Sequence, residues 1–423
     1  MQAGYKRKRQ VTRIWSRLGY SIIACPALIV WGDDVAASPP LTVLPGDASV
    51  IYPSVDKDRR RAALDRFWQD WKSVYLSEGC GGAYVDIAGD GKPTYGDSVP
   101  NTLTVSEAHG YGMLALVRMA GRDSQAKPLF DGMLAYFRLH PAESGPGLMA
   151  WNQTRDCKDA PEGGTTASDG DIDIALALQL AQETWGGYAE DAAKVREAIL
   201  AREISRHDLV KLGDWARYEV YDAASRSSDF MPYNFSVFTH APGSDASRWT
   251  EIRSTGYDVW GRISETYAQS TGLVPDFMIG MPDDPRPAPA EFLEGDYDGF
   301  YSWNALRYPY RLAADYRVSG DPRAANRLRR INAWIRTETG GDPSRIASTY
   351  RLEGSIPQDG RWTGEPGWIS MFAAGAIAGS GDPDSDQVWM DALWAAMAAI
   401  PIEDGDYFGN TLKLLAMIDL AEM

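Results

Sequence analysis

The chain has 423 residues, 44% of them hydrophobic and 24% charged, with 42 Lys and Arg set against 58 Asp and Glu. That is an ordinary composition for a soluble globular protein, and the length allows a core large enough to need no disulfide staple. The net charge of −16 argues against nucleic acid or an anionic membrane as partner, since both would be repelled.

Residues 1–38 read as an export signal followed by a lead-in. Lys6, Arg7, Lys8, Arg9, Arg13 and Arg17 form a basic start, and the apolar stretch from Leu18 to Gly32 is broken by Pro26. Ala36, Ala37 and Ser38 offer small residues for cleavage. A spanning helix needs about 20 apolar residues, so no stable membrane span is expected here. Ile22-Ile23-Ala24-Cys25 also resembles a lipoprotein box, which leaves lipidation as an alternative. Removing residues 1–38 takes away six basic and two acidic groups, leaving 36 against 56 and a net charge of −20. Such a surface would attract a cationic polymer such as chitosan. Cys80 and Cys157 remain and could pair in a secreted or periplasmic protein.

From residue 39 onward no convincing linker appears, and 39–423 reads as a single domain. Ala62, Leu64, Phe67, Trp68, Trp71, Val74 and Tyr75 have helical spacing. Further helical patterns cover 106–121, 124–139, 171–187, 190–205, 248–271, 303–318, 321–337, 366–379, 385–399 and 409–421. Several are apolar on more than one side, which suits helices packed between neighbours. Strand-like alternation is scarce, so the domain is predicted to be all-α. Long loops at 80–103, 141–168, 206–247, 274–302 and 340–365 hold most of the clustered Asp, Glu, Trp and Tyr. Loops of this length in a compact domain usually carry function, and an acidic, aromatic loop face suits a cleft for a sugar chain. The 15 Trp and 21 Tyr divide between core and such a cleft.

No Gly-rich phosphate loop, Cys/His cluster or G-x-S-x-G elbow is present, and there are only 4 His. No cofactor or metal is expected, and carboxylates are the abundant reactive groups. Two carboxylates suffice to cleave a glycosidic bond: one protonates the leaving oxygen while the other activates water or attacks the sugar. Two clusters stand out. In Thr104 to Leu114, Ser106 is placed to cap a helix opening with Glu107, and Gly110 and Gly112 allow close backbone approach. In Ala167 to Ala175, Asp169, Asp171 and Asp173 alternate ahead of an apolar helix. A calcium loop would place its glycine and a glutamate elsewhere.

These segments resemble glycoside hydrolase family 8, a family of endoglucanases, lichenases, chitosanases and xylanases built on an (α/α)6 barrel. Thr104 to Leu114 is similar to the family's S-E-G-x-x-Y-G-M segment, with Ala108 where Gly is usual. Ala167 to Ala175 fits A-[ST]-D-[AG]-D-x-x-[IM]-A, with Gln179 departing further on at a position that is usually apolar. Ser228 to Pro232, Gly272 to Asp276, Tyr301 to Tyr316 and Phe408 to Leu415 resemble further family segments. The resemblance implies that Glu107 is the general acid and that Asp169 grips the sugar at the cleavage point. Many members carry the general base Asp where this chain has Asn304. In a branch with Asn there, a Glu in the preceding loop serves as base. The loop from Ala290 to Gly299 makes Glu294 the choice, with Glu291 and Asp296 as alternatives.

The expected enzyme is thus a secreted, endo-acting, inverting β-1,4-glucan hydrolase with long cleft-lining loops, acting as a monomer. Chitosanase or lichenase activity is the alternative within the family. A non-catalytic glycan-binding protein is the alternative outside it, with Asn304 as its evidence. A polysaccharide lyase would need a cation cluster that the sequence lacks. Arg307 is expected to pin nearby carboxylates and Asn304 to orient the water. Tyr111, Trp151 and Trp303 are candidate stacking platforms for sugar rings.

Overall fold

The computed structural model describes residues 50–88, 101–358, 362–402 and 406–422, all within one compact unit, Val35–Met423. The expected export signal lies outside the described residues. Among these residues are twelve α-helices: α1 (Lys57–Tyr75), α2 (Ser106–Arg118), α3 (Ala126–Leu139), α4 (Ser168–Trp185), α5 (Ala189–Arg202), α6 (Pro232–His240), α7 (Ala246–Tyr267), α8 (Tyr308–Ser319), α9 (Pro322–Thr339), α10 (Pro366–Gly375), α11 (Pro383–Ala399) and α12 (Tyr407–Glu422).

The even-numbered helices form an inner ring. Helix α2 packs on α4, α4 on α6, α6 on α8, α8 on α10, α10 on α12, and α12 returns to α2. The odd-numbered helices lie outside, giving the (α/α)6 barrel implied by the resemblance. The split follows from the sequence patterns. Helix α2 is buried at twelve of its positions and α10 at nine, because both face neighbours all round. Outer helices such as α9 bury one stripe, Ala324, Leu328, Ile331 and Ile335, and turn arginines outward. Local signals set several ends. Asp56 caps α1, Asp321 caps α9 ahead of Pro322, and Gly320 and Gly340 end α8 and α9 in the left-handed conformation.

Three predicted elements need correction. The stretch 206–247, expected to be loop, contains α6. Its nine residues include Pro232, Asn234 and three aromatics, too short and too mixed to show a periodic stripe. The helix expected from 303 begins at 308 after a single 3-10 turn at Ala305–Arg307, which leaves Trp303 and Asn304 in a turn. Ser106 opens α2 without making a capping bond, the cap position being Val105.

Among the described residues the strands are few and short: β1 (Leu76–Gly79), β2 (Gly82–Val85), β3 (Thr102–Val105), β4 (Asn152–Thr154), β5 (Lys158–Asp159), β6 (Ser225–Arg226), β7 (Phe277–Ile279) and β8 (Arg286–Pro287). They form one hairpin, β1-β2, and two antiparallel sheets, β3-β4-β5 and β6-β7-β8. A disulfide between Cys80 and Cys157 joins the β1-β2 turn to the β4-β5 turn. The sheet β6-β7-β8 has its own small core of Leu212, Ala216, Ala224, Phe277, Ile279 and Ala288, on which Trp215, Tyr221 and Phe292 pack. Phe292 belongs to the acidic loop 290–299, so this core anchors that loop.

Candidate active site

The first turns of α2 and α4 meet through glycine. A Cβ on Gly170 would lie 2.5 Å from the Ser106 carbonyl carbon, and one on Gly110 would lie 2.9 Å from the Gly170 oxygen. Only hydrogen fits at these points, so the two backbones approach closely and bring Glu107 and Asp169 side by side. Gly112, by contrast, faces Val85 and Met133 on the outer side of α2.

Arg307, buried just ahead of α8, ties the pair together. Its Nη1 donates to Glu107 Oε2 at 2.7 Å, to Asp169 Oδ2 at 2.9 Å and to the Tyr111 hydroxyl at 3.0 Å. Its Nη2 donates to Asn304 Oδ1 at 3.0 Å, and Asn304 Nδ2 donates to Glu294 Oε2 at 2.8 Å. The turn carrying Asn304 is clamped by Asp276, whose Oδ1 accepts the backbone N–H groups of Ser302, Asn304 and Ala305. The acidic loop is braced in the same way by Asp298, which accepts the N–H groups of Leu293, Glu294 and Gly295.

Of the three acidic residues considered in that loop, Glu294 reaches both Asn304 and Arg226. Its side chain is 47% exposed and open to water. Glu291 and Asp296 are exposed. Glu107 is only 14% exposed. Burial pushes its carboxyl up to about 7; Arg307 and Arg226 oppose the shift, while Asp169 and Glu294 reinforce it. Asp169 goes the other way: burial disfavours its charge, but Arg226 and Arg307 outweigh burial and hold it below the ordinary value. Two adjacent carboxyls thus separate into one that retains a proton near neutrality and one that is ionised, the condition for dividing acid and anion roles.

The aromatic candidates sort differently. Trp303 is 37% exposed and stands edge-on to Trp368, with Phe408 beside it. Trp151 is half-buried, its indole N–H donating to the Glu162 carbonyl at 3.0 Å, while its own carbonyl accepts the Ser106 N–H at 2.9 Å. Tyr111 is 1% exposed. It presents no ring face to a sugar, and the stacking role expected for it is withdrawn: it belongs to the barrel core and its hydroxyl accepts from Arg307.

The alternating aspartates split between two faces of α4: Asp169 and Asp173, at i and i+4, both meet arginines at the start of α8, while Asp171 at i+2 turns away. Asp169 turns to the arginines, Asp171 accepts the Met149 N–H at 2.8 Å, and Asp173 takes a two-pronged bond from Arg311. Among the described residues no group of three or more His, Cys, Asp or Glu could hold a metal ion.

Sequence reasoning missed Arg226, Asp229 and Tyr407 as site residues. Arg226 lies two residues before the motif Ser228 to Pro232, Asp229 lies within that motif, and Tyr407 lies one residue before Phe408 to Leu415. The Tyr407 hydroxyl is 3.4 Å from Glu107 Oε1. An arginine or tyrosine at a motif's edge carries no local mark of where it points.

The sequence model of Glycosyl hydrolases family 8 matches residues 56–347. The chain belongs to this family. A Beta-glucanase of Niallia circulans is 36% identical over 358 residues, which are 83% of this chain and 82% of that protein. An Endoglucanase of Bacillus sp. (strain KSM-330) is 31% identical over 385 residues, 88% and 79% of the two chains. Among solved structures, the apo Beta-1,3-1,4-glucanase from Paenibacillus sp. X4 superposes with a TM-score of 0.82 at 34% identity, covering 92% of this chain and 98% of that one. This family 8 chain is therefore a glycosidase on an (α/α)6 barrel, with its paired carboxyls at the N-terminal ends of inner helices.

Proposed function

We propose that the enzyme is an exported, endo-acting β-glucan hydrolase that cleaves β-1,4 bonds by a single displacement with inversion. The reading rests on one observation: Glu107, raised to about 7, shares a guanidinium with the ionised Asp169, while Glu294 stands on the far side of Asn304. Glu107 protonates the bridging oxygen as the bond breaks. Glu294 takes a proton from a water on the opposite face of the sugar, and Asn304, through its amide, fixes the carboxylate that meets that water. Asp169 grips ring hydroxyls at the cleavage point. Trp303 offers an open indole face to a glucose ring, and Trp151 flanks the start of α2.

Glucan as substrate is supported by the names of the relatives, and the likeness to a Beta-1,3-1,4-glucanase favours mixed-linkage glucan among β-1,4-containing polymers. Chitosan is supported by the acidic surface alone. Export is supported by the basic start with its short apolar run and by the Cys80–Cys157 disulfide, a bond at home in oxidising compartments. The catalytic domain is taken to begin at residue 39 and to act as a monomer.

The test uses purified protein with lichenan, carboxymethylcellulose, xylan and chitosan, reading reducing ends and the anomer first released. Lichenan hydrolysis with the α-anomer appearing first is expected. Turnover of chitosan or xylan but of neither glucan would overturn the substrate, and a β-anomer first would overturn inversion. Glu107→Gln should cut turnover by roughly 10²–10⁴-fold while leaving the thermal transition in place. Wild-type rates in that variant would remove Glu107 from the mechanism.

A further inference from the structure

Arg226 sits on β6, in register with Phe277, and its guanidinium stacks over the Phe277 ring with 5.4 Å to the centroid. Only 11% of its side chain is exposed. From that position one cation meets three carboxyls on three separate segments. Its Nη2 donates to Glu294 Oε1 at 3.2 Å, and its Nη1 lies 3.2 Å from Asp229 Oδ2 and 3.8 Å from Asp169 Oδ1.

These contacts close a ring. Arg307 binds Asp169 and Asn304; Asn304 binds Glu294; Glu294 binds Arg226; Arg226 returns to Asp169. Both carboxylate oxygens of Glu294 are thereby occupied, one by Asn304 and one by Arg226, although the residue sits on a loop and is half open to solvent. A glutamate with three rotatable bonds would otherwise sample many positions, and a misplacement of 1 Å at a reacting group costs about 10²-fold in rate. Asp229 is fully buried, and its Oδ2 accepts from the same Nη1 at 3.2 Å.

We propose that Arg226 is the positioning residue of the reaction, aligning Glu294 and Asp169 across the cleavage point by bridging their carboxylates with one buried guanidinium. The inference rests on the reading of Glu107 and Glu294 as acid and base. Arg226 also opposes the upward shift of Glu107. Its removal therefore makes Glu107 hold its proton to higher pH, so the alkaline limb of the pH profile moves upward. A residue that merely supports the fold would lower the rate without moving that limb.

The experiment compares wild type, Arg226→Met, Arg226→Lys and Glu107→Gln on the best glucan substrate. It measures kcat, KM, the pH dependence of kcat/KM and thermal unfolding. For Arg226→Met we expect kcat to fall about 100-fold with a much smaller change in KM, and the alkaline limb to move to higher pH. Arg226→Lys, which keeps a cation but cannot bridge, should restore the limb and only part of kcat. Wild-type kcat in Arg226→Met, or a loss of kcat with an unmoved limb, overturns the inference. Should Arg226→Met fail to fold, Arg226→Lys decides by the split between kcat and KM: a loss of kcat with KM and melting temperature unchanged supports the proposal, and wild-type kcat, or a loss accompanied by a lower melting temperature, overturns it. An active Glu107→Gln would instead defeat the underlying acid–base reading, so the two failures are distinguishable.

Discussion

Glu107 carries two opposed influences. A carboxylate in the first turn of a helix is favoured by the exposed N–H groups there, which would keep it ionised. Burial between α2, α4 and the turn before α8 works against ionisation and wins, with Asp169 and Glu294 adding to it. As the proposed acid, Glu107 must be protonated to act, so kcat/KM should fall as pH rises through about 7. A profile flat to pH 9 or so would show that another group supplies the proton. The same environment explains why Tyr111 is not a sugar platform. Its ring fills the barrel beside Arg307, whereas Trp303 stays at the surface because the chain turns there instead of continuing as helix.

A second buried acidic pair joins α4 to the end of α5. Asp171, in the first turn of α4, and Glu203, just past the end of α5, are both fully buried. Glu203 Oε1 accepts the Thr166 hydroxyl at 2.5 Å. Burial pushes Glu203 from its ordinary 4.5 up to about 7 and Asp171 well above its usual value. The folded state therefore binds a proton that the unfolded chain releases. Its stabilising effect is complete below about 4.5 and is lost as pH rises through about 7. Melting temperature is expected to decline across that window, and Glu203→Gln, which keeps a neutral hydrogen-bonding group, should flatten the decline. An unchanged slope in the variant would mean that other groups set it. Because Asp169 lies two residues from Asp171, this pair also holds the segment from which the Asp169 carboxylate projects.

Closure of the barrel depends on contacts between distant parts of the chain. Helix α12 packs on both α1 and α2, and Trp71 of α1 donates to the Thr411 hydroxyl at 3.0 Å, so the C-terminal helix completes the inner ring. The Cys80–Cys157 bridge spans 77 residues and encloses all of α2 and α3. Chain-entropy reasoning puts such a loop at roughly 4 kcal/mol of stability, or about 5 °C of melting temperature for a chain of this size. In the proposed exported protein both thiols are oxidised. Protein recovered from periplasm or medium should show no titratable thiol and should melt lower by that margin after reduction, with glucan hydrolysis at 25 °C retained. Equal melting before and after reduction would remove the bridge from the stability of the fold.

Glu107 and Asp169 were legible because each sits inside a contiguous motif at the start of a helix, where residue type, glycine spacing and apolar periodicity lie within about ten residues. The longer inner helices were legible for the same reason, since burial on every side writes an unbroken apolar pattern. Glu294 was narrowed to a loop by its acidic and aromatic composition. Arg226 was not, because its meaning comes from Glu294, 68 residues away, and Arg307 is 200 residues from Glu107. The short α6 escaped notice because nine residues with mixed polarity show no stripe until α4 and α8 supply its neighbours. Periodicity and motif are short-range signals, sufficient for the longer helices, the family and the two leading carboxylates as candidates. Which side chains share a guanidinium, which tryptophan faces water, and which carboxyl keeps its proton depend on burial and on convergence across the closed ring, and these exist only once the barrel has formed.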